Sequence, residues 1–327
     1  MTRTGPSDGA GAVLVGDIGG TNARFGVLED GKPGHVRSFQ VSRFADPVAA
    51  IGAYLAEAGI TVPVRRVLLA IAAPVRGDDV QLTNGPWTVS KASIAAALNV
   101  SDITFVNDFA ATAWGVLRLR DEDLLTVGGG ETKPAAPAVV FGPGTGVGVS
   151  VLFQNPGSPF VLSTEGSHVT MPDQNADEDA IIDILRGEVG HVSVERALSG
   201  EGIVNLYRAV MKRAGTAPED LSSVDITRRA QQGTCRWCQS TMDLYFDMLG
   251  GVAGNWALTF DACGGVYIAG GIVPQLTDLL IKSGFRARFQ GKGRFSDYLR
   301  SIPTKLIIHE YPGLLGLSEL AAAGDPA

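Results

Sequence analysis

Two acidic residues close apolar, strand-like runs at positions where a carboxylate can act on a bound phosphate or alcohol. The first ends Val13-Leu14-Val15-Gly16-Asp17 and opens into Ile18-Gly19-Gly20-Thr21-Asn22; the second, Asp108, follows Ile103-Thr104-Phe105-Val106-Asn107. Glycines after Asp17 lack Cβ atoms, so backbone N–H groups can close round an anion as a concave nest able to hold a phosphate tail. Asp17 is a hard oxygen donor that can reach Mg²⁺ through water. Asp108, at a strand end, can take the proton of a bound alcohol. A phosphate loop together with a base amounts to phosphoryl transfer. Taken alone, the first loop could equally be a β-turn with its Asp and Asn satisfying local backbone groups, and Asp108 could cap a helix starting near Phe109.

Further glycine loops and polar residues extend this chemistry. Gly142-Pro143-Gly144-Thr145-Gly146 follows the strand-like residues 138–141. It lacks the Lys-Ser/Thr that completes a P-loop and does not fit G-x-G-x-x-G, which disfavours an ordinary P-loop enzyme or a Rossmann dehydrogenase. Gly270 and Gly271 close a buried run over 264–268, either as a tight strand-to-helix turn or as a third nucleotide-facing loop, with Pro274 free to start a new helix. Glu165, His168 and Glu195 are each readable as surface or capping residues. Their types also suit a polyol, since carboxylates accept from hydroxyls and imidazole can donate or accept.

These residues need a sheet to carry them. Strand-like runs over 12–15, 23–28 and 36–41 give an antiparallel start. A helix over 47–58 places Val48, Ile51, Tyr54 and Leu55 on one face, residues 66–72 return as a buried strand before Pro74, and a turn region over 78–82 precedes Asn84-Gly85-Pro86-Trp87. A helix over 91–98, the strand ending at Asn107 and a helix over 109–118 complete one α/β domain with a mixed sheet. Gly128-Gly129-Gly130 and residues 133–137 predict a hinge or linker. Strand, glycine turn and returning strand over 138–153 repeat the opening of the chain, implying two related domains facing each other. Beyond Asp177 the pattern is helical, with Ile181, Ile182, Ile184 and Leu185, then Ile203, Leu206, Tyr207 and Val210, as core faces. The apolar segment 306–320 is expected to return to the first domain as a strand and helix. The expected division is therefore 1–118 with 306–327 as a small α/β domain and 119–305 as a large one.

Composition narrows the class. A chain of 327 residues suggests two domains, with a ligand cleft between them. Its net charge of −7 removes the diffuse positive field needed for non-specific binding to nucleic acid or an anionic membrane. The basic stretch 285–294 reads as a solvated face, and no apolar run reaches the length of a membrane span. Residues 1–11 lack the apolar core of a secretory signal and read as a short disordered lead. Three cysteines give no disulfide framework and suit a reducing cytoplasm. Cys235-x-x-Cys238 is half of a metal or redox motif, without a second pair or a neighbouring His, so zinc is disfavoured. His35 and His309 read as surface or packed residues, and His191 as packing or as support for the Glu195 segment.

In their order, Gly16-Asp17-Ile18-Gly19-Gly20-Thr21-Asn22, Val106-Asn107-Asp108-Phe109, Gly142-Pro143-Gly144-Thr145-Gly146, Glu165-Gly166-Ser167-His168 and Ile268-Ala269-Gly270-Gly271-Ile272-Val273-Pro274 closely resemble the bacterial glucokinase family. Gly190-His191-Val192-Ser193-Val194-Glu195-Arg196-Ala197-Leu198-Ser199-Gly200 strengthens the match, which runs from about Val13 to Gly316. The resemblance implies a two-domain actin-like ATPase (ribonuclease H-like) fold and ATP- and Mg²⁺-dependent phosphorylation of glucose at its 6-hydroxyl. It implies Asp108 as general base and Asn107 as its hydroxyl-binding neighbour, with Glu165, His168 and Glu195 as sugar-binding residues. Nucleotide would lie on Gly16, Asp17, Ile18, Gly19, Gly20 and Thr21, on Gly144 and Thr145, and on Gly270 and Gly271. Domain closure would exclude water from the transfer, and a homodimer is implied. Relatives commonly have Glu-Gly-Gly-His where this chain has Ser167, a change that bears on sugar selectivity. The related ROK (repressor, open reading frame, kinase) kinases carry a Cys-rich zinc motif that is absent here. Two other readings stay open: a kinase for another hexose such as mannose or fructose, and a sugar-sensing regulator or actin-like ATPase without sugar turnover.

Overall fold

The computed structural model describes residues 11–323, so the expected disordered lead, Gly11 apart, lies outside the described residues. The chain divides into two compact units, one taking in the chain up to Leu119 and from Glu310 onward, the other Arg120–His309.

The first unit is built on strands β1 (Ala12–Ile18), β2 (Asn22–Glu29), β3 (Lys32–Gln40) and β4 (Val64–Ile71), a small hairpin of β5 (Asp79–Gln81) and β6 (Thr88–Ser90), and β7 (Asp102–Asn107). The main sheet runs β3-β2-β1-β4-β7. β1 is antiparallel to β2 and parallel to β4, and β4 is parallel to β7. Val67–Ile71 is an unbroken apolar run with no exposed residue, as a parallel strand covered on both faces requires. The helix Pro47–Glu57 begins where Asp46 accepts from the Ala49 N–H at 2.8 Å with Pro47 in the first turn. It buries Pro47, Ala50, Ile51 and Tyr54, a face rotated from the expected Val48-Ile51-Tyr54-Leu55 set, whose outer two members are only partly buried.

In the second unit, β8 (Leu124–Gly128), β9 (Ala138–Pro143), β10 (Val147–Phe153), β11 (Phe160–Thr164), β12 (Val266–Ile268) and β13 (Thr304–Ile307) form a sheet in the order β11-β10-β9-β12-β13-β8. Its first five positions repeat the first sheet's plan: two antiparallel pairings, β11 to β10 and β10 to β9, then two parallel ones, β9 to β12 and β12 to β13. The internal repeat expected from the glycine turns is thus present as a repeated topology. Helices Ala176–Val189, Gly200–Arg213, Ser223–Gln231 and Arg236–Thr259 supply most of the core, through residues such as Ile181, Leu206, Tyr245 and Leu249.

Three expectations are corrected. Gly128-Gly129-Gly130 is no hinge: Gly128 ends β8, and a Cβ at Gly129 or Gly130 would strike the Ile302 or Ser301 carbonyl at 2.1 and 2.5 Å, so the segment is clamped inside the second unit. The strand within 306–320 does not return to the first sheet. Residues Thr304–Ile307 pair with β12 and β8, and only the helix Pro312–Ala323 joins the first unit. The basic stretch 285–294 is no solvated face either. Phe285 and Phe289 are fully buried, Arg286 donates to the Leu299 and Arg300 carbonyls, Arg288 pairs with the buried Glu178, and Lys292 donates to the Gly251 carbonyl at 2.9 Å. Burial pushes the Arg286 guanidinium down to about 10.

The helices Asp108–Gly115 and Pro312–Ala323 pack backbone to backbone, since a Cβ at Gly316 would lie 1.7 Å from the Ala111 carbonyl oxygen. Gly316→Ala should therefore lower stability by at least about 1–3 kcal/mol in urea denaturation. Gly187→Ala, in the exposed part of Ala176–Val189 with nothing near the added Cβ, should raise it by about 0.4–1 kcal/mol.

Candidate active site

The register of three parallel strands sets the first unit's carboxylates. Asp17 stands abreast of Ala70, and Ala70 of Val106, so the chain leaves β1 and β7 at one edge of the sheet with Asp108 just beyond Asn107. The carboxyl ends of parallel strands are the usual ligand-binding edge of such sheets. On β2, Arg24 pairs with Asp17 in register and places Nη1 3.5 Å from Oδ2. Burial raises the Asp17 carboxyl above its ordinary range, and the Arg24 charge and hydrogen bond only partly offset that rise.

Asn107, rather than Asp108, is the N-cap of the helix Asp108–Gly115. Its Oδ1 accepts from the Phe109 and Ala110 N–H groups at 3.0 and 3.1 Å, and its Nδ2 donates to the Ala73 carbonyl at 3.3 Å and to Asp108 Oδ1 at 3.0 Å. Asp108 Oδ1 also accepts from the Phe109 N–H at 2.9 Å. The Asn107 and Phe109 bonds both fall on Oδ1. Burial, reinforced by the like charge of Asp17 and opposed by these hydrogen bonds, pushes the Asp108 carboxyl up to about 7.

A second helix meets the same edge. Thr112 lies by Gly313, Gly115 by Gly316, and Arg118 pairs with Glu319, so Pro312–Ala323 runs alongside Asp108–Gly115 in the same direction. Its start reaches Asp17: a Cβ at Gly313 would sit 3.7 Å from the Asp17 carboxyl carbon. The N-termini of both helices therefore direct positive field toward Asp17 and Asp108, with the Phe109 and Ala110 N–H groups already held by Asn107 and Asp108. The sequence reading gave Pro312 and Gly313 no role, although Pro in a first helical turn was the available signal.

The loop after Asp17 is shaped by residues of mixed kinds. Gly16 and Ile18 are buried in the sheet, Gly16 against Leu69 and Phe25, so of the nucleotide-binding residues expected in this loop Asp17, Gly19, Gly20 and Thr21 are left toward solvent. Gly19 N–H donates to the Asn22 carbonyl at 2.9 Å. The turn of the β5–β6 hairpin packs on this loop, and a Cβ at Gly20 would lie 2.1 Å from the Asn84 carbonyl oxygen. That hairpin went unread, although Asn-Gly is a strong hairpin-turn signal.

Within the second unit the remaining expected residues gather round two strand ends. Gly142 and Gly270 allow the turns after β9 and β12 to touch, because a Cβ on Gly142 would strike Ala269 and one on Gly270 the Pro143 carbonyl, each at 2.4 Å, and Gly270 has φ +85°. Thr145, Gly270 and Gly271 are exposed beside each other's loops. Glu195 Oε2 accepts from the Val147 N–H at 2.8 Å, closing the Gly142–Gly146 turn from below. The Glu195 N–H donates to the Ser167 carbonyl at 2.9 Å, which ties this turn to the loop carrying Glu165 and His168. Those two side chains are about half exposed and 3.6 Å apart, whereas Ser167 is buried. The structure thus brings Glu165, His168 and Glu195 together. His191 shares a hydrogen bond with Thr170 at 3.1 Å on the neighbouring loop.

Beside Gly271 a cleft of about 120 Å³ opens between Ile203, Val224, Thr227, Ile272 and Gln275, with apolar walls and a polar rim. A larger cavity of about 460 Å³, lined by residues including Asp177, Arg213 and Trp237, contains none of the candidate site residues. Among the described residues, no cluster of three or more His, Cys, Asp or Glu is arranged to hold a metal ion.

The repulsion between the two carboxylates yields a direct test in the ligand-free protein. Asp17→Asn removes a like charge and should move the Asp108 titration below its wild-type midpoint near 7, read from the Asp108 carboxyl ¹³C shift against pH. An unchanged midpoint would show that the two groups do not interact.

Comparison with known proteins places these features. A glucokinase family model matches residues 14–324. A glucokinase of Nitrobacter hamburgensis is 46% identical over 307 residues, covering 94% of this chain and 96% of that protein. The crystal structure of a glucokinase from an Antarctic psychrotroph superposes with a TM-score of 0.85 at 31% identity, over 96% of this chain and all of that one. A ROK family glucokinase from Streptomyces griseus, solved with glucose and AMPPNP, shares the fold at a TM-score of 0.66 and 20% identity, over 96% of this chain and 100% of that one. The repeated α/β topology is the actin-like ATPase fold of these sugar kinases, and with nearly its whole length matched the chain belongs to the glucokinase family.

Proposed function

We infer that this protein catalyses ATP-dependent phosphorylation of glucose to glucose 6-phosphate, with Asp108 as the general base on the sugar 6-hydroxyl. The observation that carries the base assignment is the state of Asp108: Oδ1 oriented by Asn107 and the Phe109 N–H at the carboxyl end of the parallel strands, and a carboxyl pushed up to about 7. A carboxylate of ordinary acidity is a weak base, whereas one titrating near neutrality is matched to taking an alcohol proton at physiological pH. In a loose, in-line phosphoryl transfer the protein chiefly positions reactants and stabilises charge. As the 6-oxygen of glucose attacks the γ-phosphorus, the bond from that phosphorus to the β–γ bridging oxygen breaks, ADP leaves, and the Asp108 carboxylate receives the hydroxyl proton.

Asn107 fixes the rotamer of the base. Its four hydrogen-bonding positions are occupied in the ligand-free protein, so a sugar hydroxyl at Asn107 would share one of them. Glu165, His168 and Glu195 are proposed to bind further sugar hydroxyls, and their connection through Ser167 and Val147 would hold them at fixed spacing. Thr21, Gly19 and Gly20, with Gly144 and Thr145, are proposed to receive phosphate oxygens. The apolar cleft beside Gly270 and Gly271 suits an adenine ring and ribose.

Mg²⁺ fits the first unit's chemistry, because Asp17 is a hard oxygen donor held beside a second carboxylate whose charge it disfavours. When bound, the ion would supply charge neutralisation at the transferring phosphoryl group, with Asp17 holding it through water. On the family resemblance the enzyme is read as a homodimer. Its three free cysteines and negative net charge favour a cytoplasmic setting.

Coupled detection of glucose 6-phosphate from glucose, ATP and Mg²⁺ tests this reading. Asp108→Ala should lower kcat by about 10²–10⁴-fold with its urea transition retained; near-wild-type turnover would remove Asp108 from the role. Mannose and fructose at equal concentration should give lower kcat/KM than glucose, and the opposite order would assign a different hexose.

A further inference from the structure

Cys235 and Cys238 take no part in phosphoryl transfer, yet they are arranged as a reactive pair. Cys235 is the N-cap of the 24-residue helix Arg236–Thr259, and its Sγ accepts from the Cys238 N–H at 3.4 Å. Cys235 is half-buried, whereas Cys238, in the first turn, is fully buried. One turn of chain therefore offers one sulfur toward solvent and backs it with a second. Cα atoms three apart in a helical turn lie about 5 Å from each other, within the Cα range of about 4.4–6.8 Å that a disulfide spans.

The local charges differentiate the two sulfurs. A helix N-terminus favours a thiolate, and Arg229, anchored by Glu219 at 2.9 Å, adds positive charge. Burial opposes ionisation of Cys235, but hydrogen bonds from the Cys238 thiol and N–H and from the Trp237 N–H, with Arg229, outweigh it and hold the Cys235 thiol below its usual value. Burial, together with the hydrogen bond to Cys235, pushes the Cys238 thiol up to about 12. When the pair loses its first proton, the charge therefore falls on the accessible sulfur and the remaining proton stays on the inner one. A zinc reading has no support from neighbouring groups, because a structural zinc needs four ligands and no cluster of three or more His, Cys, Asp or Glu is present among the described residues.

We propose that Cys235 and Cys238 form a redox-active dithiol that reacts with small-molecule disulfides, Cys235 attacking and Cys238 resolving, so that the kinase carries a reversible intramolecular disulfide. In the first step the Cys235 thiolate attacks one sulfur of the small disulfide, forming a mixed disulfide and expelling one thiolate. In the second, Cys238 gives up its proton and its sulfur attacks Cys235 Sγ, expelling the other thiolate. The two protons lost from the cysteines pass through solvent to the two expelled thiolates. Two protein thiols are oxidised to a disulfide and one small disulfide is reduced to two thiols.

The test is exposure of the native, full-length protein to oxidised glutathione, followed by acid quenching, thiol counting and peptide mass spectrometry. The free-thiol count should fall from three to one, with a bond between Cys235 and Cys238, Cys263 left reduced, and full reversal by dithiothreitol. Cys238→Ser should instead accumulate one glutathione on Cys235, and Cys235→Ser should leave Cys238 unmodified. Retention of all three thiols in the folded wild-type protein, or a stable mixed disulfide that Cys238 never resolves, would overturn the proposal, and neither result depends on the variants folding.

Discussion

Two carboxylates at one end of a parallel sheet repel each other, and much of the first unit can be read as the means of keeping both there. Asp17 and Asp108 are placed by the register of β1, β4 and β7, so neither can retreat without shifting the strand that leads to it. Arg24 compensates one of them, while Asn107 and the Phe109 N–H compensate the other. The compensation is incomplete, and both carboxyls hold protons more tightly than exposed ones do. A stability-optimised sheet edge would not keep this arrangement, since an apolar or amide residue would remove the repulsion. Its persistence is intelligible where charge is needed for binding and proton transfer.

The second unit uses the same strand plan with the opposite chemistry at its ends. Where β1 and β7 lead into Asp17 and Asp108, β9 and β12 lead into glycine turns whose backbones touch. Acidic strand ends suit a cation and a proton; bare backbone suits phosphate oxygens. Glu195 links the two kinds of task, because its carboxylate braces the Gly142–Gly146 turn while its own N–H holds the loop of Glu165 and His168. Removing the Glu195 carboxylate would therefore leave the Val147 N–H unpaired while the backbone bond to Ser167 remains.

What the sequence made legible follows from how local each signal is. The buried strands, the helix starting after Asp46 and the glycine turns are written in short-range pattern and were readable. The sequence offered Asp108 as the alternative helix cap and passed over Asn107, because Asn and Asp cap equally well and only the hydrogen bonds tell them apart. The stretch 285–294 misled for a different reason: basic residues usually point to solvent, and nothing local reveals that Arg286 and Arg288 meet buried carbonyls and a buried Glu178. β13 was placed in the wrong sheet because an apolar strand carries no label of its partner, and its pairing with β12 and β8 is a long-range fact. Among the site residues, Gly16 and Ile18 were grouped with the phosphate loop by adjacency alone, whereas strand alternation and packing turn them into the core.

The helix Pro312–Ala323 shows how chain ends can be recruited to a site without carrying a motif. Close contact through Gly115, Gly316 and Ala111 sets it beside Asp108–Gly115 and helps to decide where its N-terminus lies. Widening the contact by a side chain would move the start of the helix, and with it the positive end of its dipole near Asp17, although neither carboxylate had been changed. The glycines at this contact therefore act on the electrostatics of the carboxylate pair through distance, and the apolar packing of two helices becomes a determinant of charge at the sheet edge.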